Sequence, residues 1–229
     1  MTVRGDHQPD VRLIPAPERG VWRLGKVHAP LKYEQIRRDD ADSAAGNQWS
    51  LVGYGTLYCA SERDGCLAEA LSPFRPHPDW QDAAAADWAD EDAPGLLPPD
   101  WTTRHTLERL ELSKDARFLD VDDERTLMTL SDELRPTLTL NKVDKLARSH
   151  IEGFNRKITR AISAWAISQR EPEQGGRLIH GIAYRSRLGM RQCWAVYSDV
   201  GFTRIESHLV FPEDAALRRV VQEYGLRLG

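Results

Sequence analysis

Apolar residues recur along the chain in short runs and at helical spacing, and polar segments separate these patterns. Short apolar runs bounded by loop residues predict strands, which we expect at 21–24, 55–60, 107–112, 117–121, 178–184, 192–197 and 208–211. Recurrence at three- and four-residue intervals predicts helices, which we expect from an N-cap at Ser61 up to Leu71 and over 142–154, 156–168 and 212–224. The regular βαβ alternation of doubly wound folds is missing, so we expect one α/β (α+β) domain with a mixed, mostly antiparallel β-core and surrounding helices.

Polar segments predict an arm and an insertion on this domain. Residues 1–20 are polar and carry three prolines, so we expect an extended arm that would need docking to become ordered. Residues 21–229 should form the single domain. Within it, 76–100 contain seven acidic residues and no Lys or Arg, which predicts a long insertion. Its Trp80 and Trp88 would either pin it to the body or offer a partner surface.

Composition and charge exclude several classes of protein. The 229 residues carry a formal charge of -4, which lacks the basic field of a dedicated duplex nucleic-acid binder. The N-terminal residues contain no apolar signal segment, and no run of about 20 apolar residues occurs, so we expect a cytoplasmic protein without membrane contact. Three cysteines without a C-x-x-C pair and seven scattered histidines predict neither disulfides nor a metal site.

The region 145–170 has a marked basic excess. Six basic residues stand there against the single acid Glu152. A solvated helical face is the default explanation, and an anion-binding or acidic-partner surface is the alternative.

Four polar residues lie within or beside the apolar elements, namely Arg23, Tyr58, Glu69 and Ser186. Each has a structural explanation. An Arg covers apolar surface with its stem, a Tyr packs with its hydroxyl satisfied, and a Glu on an amphipathic helix faces water. Common dinucleotide, P-loop and hydrolase motifs do not occur in the sequence, so any catalytic chemistry must come from other residues.

In this order, the segments around the four residues resemble the RES-domain family, which is named for its Arg, Glu and Ser. The resemblance spans about Val21 to Tyr197 and rests on VWRL (21–24), GTLYCA (55–60), CLAEAL (66–71), GIAYRSR (181–187) and CWAVY (193–197). It implies a fold related to ADP-ribosyltransferases and a toxin that degrades NAD⁺. Such an enzyme cleaves the nicotinamide–ribose bond and passes ADP-ribose to phosphate or water. A protein acceptor and a non-catalytic binding protein are the alternatives.

The resemblance also implies a role for each residue. Glu69 would hydrogen-bond ribose hydroxyls and place negative charge beside the developing cation. Arg23 would hold the pyrophosphate or the adjoining ribose, and Tyr58 would pack against nicotinamide. Ser186, with its neighbour Arg185 or Arg187, would complete the wall of the site by hydrogen-bonding the nicotinamide-ribose or a phosphate.

One position departs from the family pattern. Many members carry a Gly-Arg-Trp-Asn-like stretch before the tyrosine strand, whereas this chain reads GNQWS over 46–50, with Gln48 at the expected arginine. A neutral amide lacks the charged, forked donor set of a guanidinium, which predicts weaker phosphate binding or a site that has lost activity.

The family's toxins are paired with antitoxins. The resemblance therefore implies a partner protein with a DNA-binding helix-turn-helix domain, which would block the NAD⁺ pocket. It leaves formation of a homo-oligomer open, and it needs no direct contact between this chain and nucleic acid.

Overall fold

An eight-stranded sheet organises the computed structural model, which describes residues 9–41, 46–76, 95–153, 155–172 and 175–229. Its strands are β1 (Leu13–Pro15), β2 (Val21–Lys26), β3 (Thr56–Ala60), β5 (His105–Leu112), β6 (Arg117–Asp120), β7 (Gly181–Arg185), β8 (Gln192–Tyr197) and β9 (Phe202–Leu209). They lie in the order β1-β6-β7-β8-β3-β2-β5-β9, and every neighbouring pair is antiparallel except β6 and β7. The short strands β4 (Leu96–Leu97) and β10 (Arg227–Leu228) form a separate parallel pair. The predicted mixed, mostly antiparallel β-core is confirmed.

Helices cover part of this sheet. They are α1 (Arg63–Leu71), α2 (Glu124–Glu133), α3 (Arg135–Leu140), α4 (Arg148–Glu152), α5 (Arg156–Ser168) and α6 (Ala215–Tyr224), with short 3₁₀ turns at Arg38–Asp40 and Ser72–Phe74. Helices α2 to α5 form the crossover between β6 and β7, since parallel neighbours need a long connection. Within the described ranges, no helix has both the length and the apolar character needed to cross a bilayer.

The core lies on both faces of the sheet. Successive side chains of a strand point to opposite faces, and in β3 Leu57 and Cys59 join one hydrophobic cluster while Tyr58 and Ala60 join the other. The cluster that contains Ala60 also contains apolar residues from helices α1 to α6, such as Leu67. Tyr58 is therefore directed to the side of the sheet that carries the helices.

Helix α5 and strand β8 have the bounds that the sequence predicts, but the helix expected over 142–154 is wrong in extent. Of the described residues 142–153, only Arg148–Glu152 are helical, and Lys142 adopts a left-handed backbone with φ of 57° after α3. The preceding helix α2 was not predicted. Its N-terminus is capped by the Asp123 side chain, which accepts a hydrogen bond from Thr126 N at 3.0 Å.

Two further sequence expectations are corrected. Ser61 was expected to cap α1, but the N-cap position is Glu62, and Ser61 Oγ instead accepts a hydrogen bond from Trp194 Nε1 at 2.9 Å. Strand β9 begins at Phe202 rather than at residue 208. Most of its side chains are exposed on both faces, so it has no apolar alternation that would reveal it.

Regular structure begins earlier than Val21. Strand β1 pairs with β6 at the edge of the sheet, with Leu13 opposite Leu119 and Pro15 opposite Arg117. Residues 1–8 of the expected arm and 77–94 of the expected insertion, with Trp80 and Trp88, lie outside the described residues.

His105 in β5 gives the fold a pH dependence. The ring is buried, and Lys26 Nζ lies 2.9 Å from Nε2 while Trp101 O lies 2.6 Å from Nδ1. Because an ammonium only donates, Nε2 accepts and Nδ1–H donates to the carbonyl. Burial is the main cause that lowers the pKa of His105, and the nearby Lys26 charge acts in the same direction. The neutral ring is thus the form that the fold favours.

We expect the free energy of unfolding to fall as the pH drops below about 6.5, the usual pKa of histidine in the unfolded chain. A folded-state pKa below the unfolded value contributes stability at high pH that is lost as the pH falls through the folded value. Burial also lowers the pKa of His180, which adds to the same slope. Urea unfolding at several pH values should show a shallower slope for His105→Gln, and an unchanged slope would assign the loss to other groups.

Candidate active site

A gap between β2 and β3 opens the site. Along their described lengths these strands are aligned at the single pair Trp22↔Ala60, whereas β2 is paired with β5, and β3 with β8, from end to end. Arg23 bridges the gap, since its Nη1 donates to Tyr58 O at 3.1 Å and its Nη2 to Lys32 O at 3.4 Å. A cavity of about 250 Å³ lies beside this joint.

Segments that are distant in sequence build the cavity wall. They are β2, β3, α1, the loop 46–50, the junction of α4 and α5, and the end of β7. The lining side chains and backbone belong to Arg23, Leu24, Asn47, Gln48, Tyr58, Cys59, Ala60, Gly65, Cys66, Glu69, Ala70, Glu152, Gly153, Arg156, Tyr184, Arg185 and Arg187. Both a carboxylate and several guanidinium groups thus face one space, a pattern suited to a substrate with cationic and anionic parts.

Glu69 projects from α1 and is held by a serine behind it. Ser186 Oγ donates a short hydrogen bond to Glu69 Oε1 and accepts one from Leu188 N at 2.9 Å. Ser186 is only 3% exposed and is not part of the lining. Its hydroxyl is therefore committed to orienting the carboxylate.

Tyr58 ties the loop 46–50 to the sheet. Its hydroxyl accepts a hydrogen bond from Trp49 N at 2.9 Å and shares another with Ser50 Oγ at 2.9 Å. Burial raises the pKa of Tyr58 far above its usual value, so the phenol stays protonated. The ring lines the cavity while the hydroxyl holds the loop.

Tyr184 is a site residue to which sequence reasoning assigned no role. It lies on β7 two residues before Ser186, is buried, and packs its ring against Trp49 with centroids 5.6 Å apart. Burial raises its pKa well above the usual value. Together with Tyr58 it gives the cavity an aromatic wall. The only available sequence signal was its two-residue spacing from Ser186.

Arg156 is a second residue without a predicted role. It is the first residue of α5 and belongs to the basic excess for which a solvated face was the default explanation. In the structure its side chain lines the cavity, and burial lowers its pKa. Gln48 lies in the same lining and donates from Nε2 to Ile151 O at 2.5 Å.

The structure brings the predicted site residues together. Arg23, Tyr58 and Glu69 share the lining with Arg185 and Arg187, and Ser186 lies directly behind Glu69. The chemical role of each residue stays a prediction. In the described part of the chain, no group of three His, Cys, Asp or Glu side chains could hold a metal ion.

Comparison with known proteins relates the chain to a domain family and to a solved structure. A family model described as the RES domain matches residues 20–216. A search of curated proteins finds no match. Among solved structures, the crystal structure of the M. tuberculosis MbcT-MbcA toxin-antitoxin complex is similar at 11% identity, over 93% of this chain and 91% of that one, with a TM-score of 0.46. Since the family model covers most of its length, the chain belongs to the RES domain family.

Proposed function

We propose that this protein is a toxin that cleaves the nicotinamide–ribose bond of NAD⁺ and passes ADP-ribose to phosphate or water. The observation that carries the proposal is the Glu69 carboxylate, which Ser186 orients at a cavity walled by Tyr58 and Tyr184. Membership of the RES domain family supports the same reaction.

The reaction requires little from the protein besides charge and position. The bond between the ribosyl carbon and the pyridine nitrogen breaks, and its electron pair leaves with nicotinamide, which becomes neutral. An oxygen of phosphate or water then bonds to that carbon, and water as acceptor releases one proton. Because the leaving group is neutral, no strong general acid is needed. The barrier lies in the positive charge that develops on the ribose.

Glu69 supplies the charge that this step needs. Oε1 accepts the hydrogen bond from Ser186, and among the described residues Oε2 accepts none. Oε2 is therefore available to ribose hydroxyls, and the carboxylate would stand beside the developing cation. Ser186 acts as a positioning residue, because its own hydroxyl has both its donor and an acceptor site in use.

Arg23 and the two tyrosines would shape the part of the site that holds the ribose and the nicotinamide. The terminal nitrogens of Arg23 are bonded to the carbonyls of Tyr58 and Lys32, and its buried Nε has no partner among the described residues. Two of the five N–H donors of the guanidinium are used in these bonds, so Arg23 would offer a remaining Nη hydrogen to the substrate while it fixes the strand of Tyr58. The rings of Tyr58 and Tyr184 would hold the pyridine ring for departure.

The test is incubation of the purified protein with NAD⁺, with and without inorganic phosphate, followed by chromatography. We expect one nicotinamide released for each NAD⁺ consumed, and ADP-ribose or its phosphorylated form as the second product. ADP-ribose found on an added protein would favour the protein-acceptor alternative. Intact NAD⁺ together with no binding in calorimetric titration would favour the non-catalytic alternative.

We also propose an antitoxin partner with a helix-turn-helix domain that blocks this cavity, as family membership suggests. Expression of the chain alone should slow growth and lower cellular NAD⁺, and coexpression of the partner should restore both. Undiminished growth and NAD⁺ with soluble protein present would contradict the toxin assignment.

A further inference from the structure

We propose that Arg156, with Arg187 beside it, forms an anion subsite that binds a phosphoryl group in the cavity. The group is either the pyrophosphate of the dinucleotide or the free phosphate that serves as acceptor. The inference rests on the proposed function and deepens it, because it identifies the substrate part that this wall recognises.

The first observation is a cation in the cavity without a counter-ion. Arg156 lines the cavity, and no described residue accepts a hydrogen bond from its guanidinium or forms an ion pair with it. Neither described acid of the same lining forms an ion pair with Arg156. Glu152 Oε1 is 2.5 Å from Arg148 Nε, and the described bond of Glu69 is to the neutral Ser186 hydroxyl. A partly buried charge without a partner is unfavourable, and an anionic ligand would remove that cost.

The surroundings of Arg156 increase this imbalance. Burial is the main cause that lowers its pKa, and repulsion from Arg187 and Arg160 acts in the same direction. Arg187 is exposed and lines the same cavity. Other guanidinium groups therefore adjoin Arg156 on this side of the cavity, an arrangement that suits an anion.

The second observation is the place of Arg156 in its helix. Arg156 and Lys157 open α5, whose first turn has no acidic residue, and positive charge at a helix N-terminus is unfavourable. The cap is already satisfied, because Asn155 Oδ1 accepts from Lys157 N at 3.1 Å. A cation at this position thus does not stabilise the helix, whereas it would stabilise a bound anion.

The third observation concerns Gln48, which stands where the family pattern has an arginine. Gln48 lies in the same lining as Arg156, and its bond to Ile151 O joins the loop 46–50 to α4, directly before Arg156. The cavity wall therefore carries the guanidinium of Arg156 from α5, whereas the loop 46–50 supplies only the amide of Gln48. Its forked donors can bind a phosphoryl group bidentately, which an amide cannot do.

The test compares Arg156→Gln with Lys157→Gln, which removes the same charge from the next, exposed residue of the same turn. Calorimetric titration with ADP-ribose and with inorganic phosphate measures binding directly. Steady-state kinetics measure KM for NAD⁺ and for phosphate separately. Arg156→Gln loses a charge-assisted contact, which should weaken binding of the probe about tenfold or more. Arg156→Lys should recover part of the lost affinity, and the affinity of Lys157→Gln should stay within about twofold of wild type.

The two sources of the phosphoryl group give different results. Weaker ADP-ribose binding with a raised KM for NAD⁺ supports the pyrophosphate, and weaker phosphate binding with a raised KM for phosphate supports the acceptor. Wild-type binding of both probes by folded Arg156→Gln overturns the subsite, as does an equal loss in Lys157→Gln.

Failure of the proposed function is distinguishable from failure of the subsite. A wild-type protein that binds ADP-ribose through Arg156 but leaves NAD⁺ intact would refute the reaction and keep the subsite. If wild type turns over NAD⁺ and Arg156→Gln keeps both KM values, the reaction is kept and the subsite is refuted. If wild type shows neither turnover nor binding of either probe, both proposals fall.

Discussion

Glu69→Gln is expected to lower kcat for NAD⁺ cleavage by about 100-fold or more while KM changes little. Glutamine keeps the size of the side chain and can still meet Ser186, but it removes the negative charge beside the ribosyl cation. An interaction made mainly in the transition state affects kcat rather than ground-state binding. Steady-state kinetics with nicotinamide release as the readout would measure both constants.

Two controls make this result interpretable. Glu69 lies in α1, and loss of that helix would imitate a catalytic defect. The thermal unfolding of Glu69→Gln is therefore compared with that of wild type, and the two should match. Ser186→Ala keeps the charge but frees the carboxylate, so its kcat should lie between those of wild type and Glu69→Gln. Wild-type turnover by a folded Glu69→Gln protein would remove this carboxylate from the reaction.

Trp49→Ala is expected to lower the free energy of unfolding by about 3–5 kcal/mol. The Trp49 side chain is fully buried and packs against Tyr184. Its backbone N donates to the Tyr58 hydroxyl, and its carbonyl accepts from Ser163 Oγ at 3.1 Å. The cavity left by alanine would therefore loosen the joint between the loop, the sheet and α5. Urea unfolding at fixed pH measures the change.

Trp49→Phe should be much milder than Trp49→Ala. The indole Nε1 is buried without a partner among the described residues, so phenylalanine gives up no hydrogen bond and fills most of the volume. Leu140→Ala, at a side chain that is 85% exposed, should change stability by less than about 0.5 kcal/mol. If Trp49→Ala unfolds at the wild-type urea concentration, the loop does not depend on this ring.

The sequence predicts an element well where one face is buried and the other is not. In α5, Ile158, Ile162 and Trp165 recur at helical spacing and all lie in the core, so the helix was located to the residue. Strand β9 shows the opposite case, since it is an edge strand and most of its side chains contact solvent. Burial patterns cannot reveal an element that is buried on neither face.

The site was predictable as a set of residues but not as a geometry. The order of Arg23, Tyr58, Glu69 and Ser186 along the chain pointed to one family, and the structure gathers them at one cavity. That Ser186 stands behind Glu69 depends on how β7 and α1 approach each other in three dimensions. Likewise, the basic excess did not identify Arg156, because helix packing decides which charge faces a cavity.

The incomplete pairing of β2 with β3 divides the sheet along one line, which we call the seam. Each strand is fully paired on its other side, so the sheet consists of two panels, β1-β6-β7-β8-β3 and β2-β5-β9. They are joined by one residue pair, by the Arg23 bridge and by the bond from Cys66 Sγ to Trp22 O at 2.9 Å. A small rotation of one panel against the other would change the width of the cavity while every other ladder stays intact. Amide hydrogens along the seam should therefore exchange faster than those inside either panel. A molecule bound in the seam, or a protein bound to both panels, would change the proposed activity without touching Glu69.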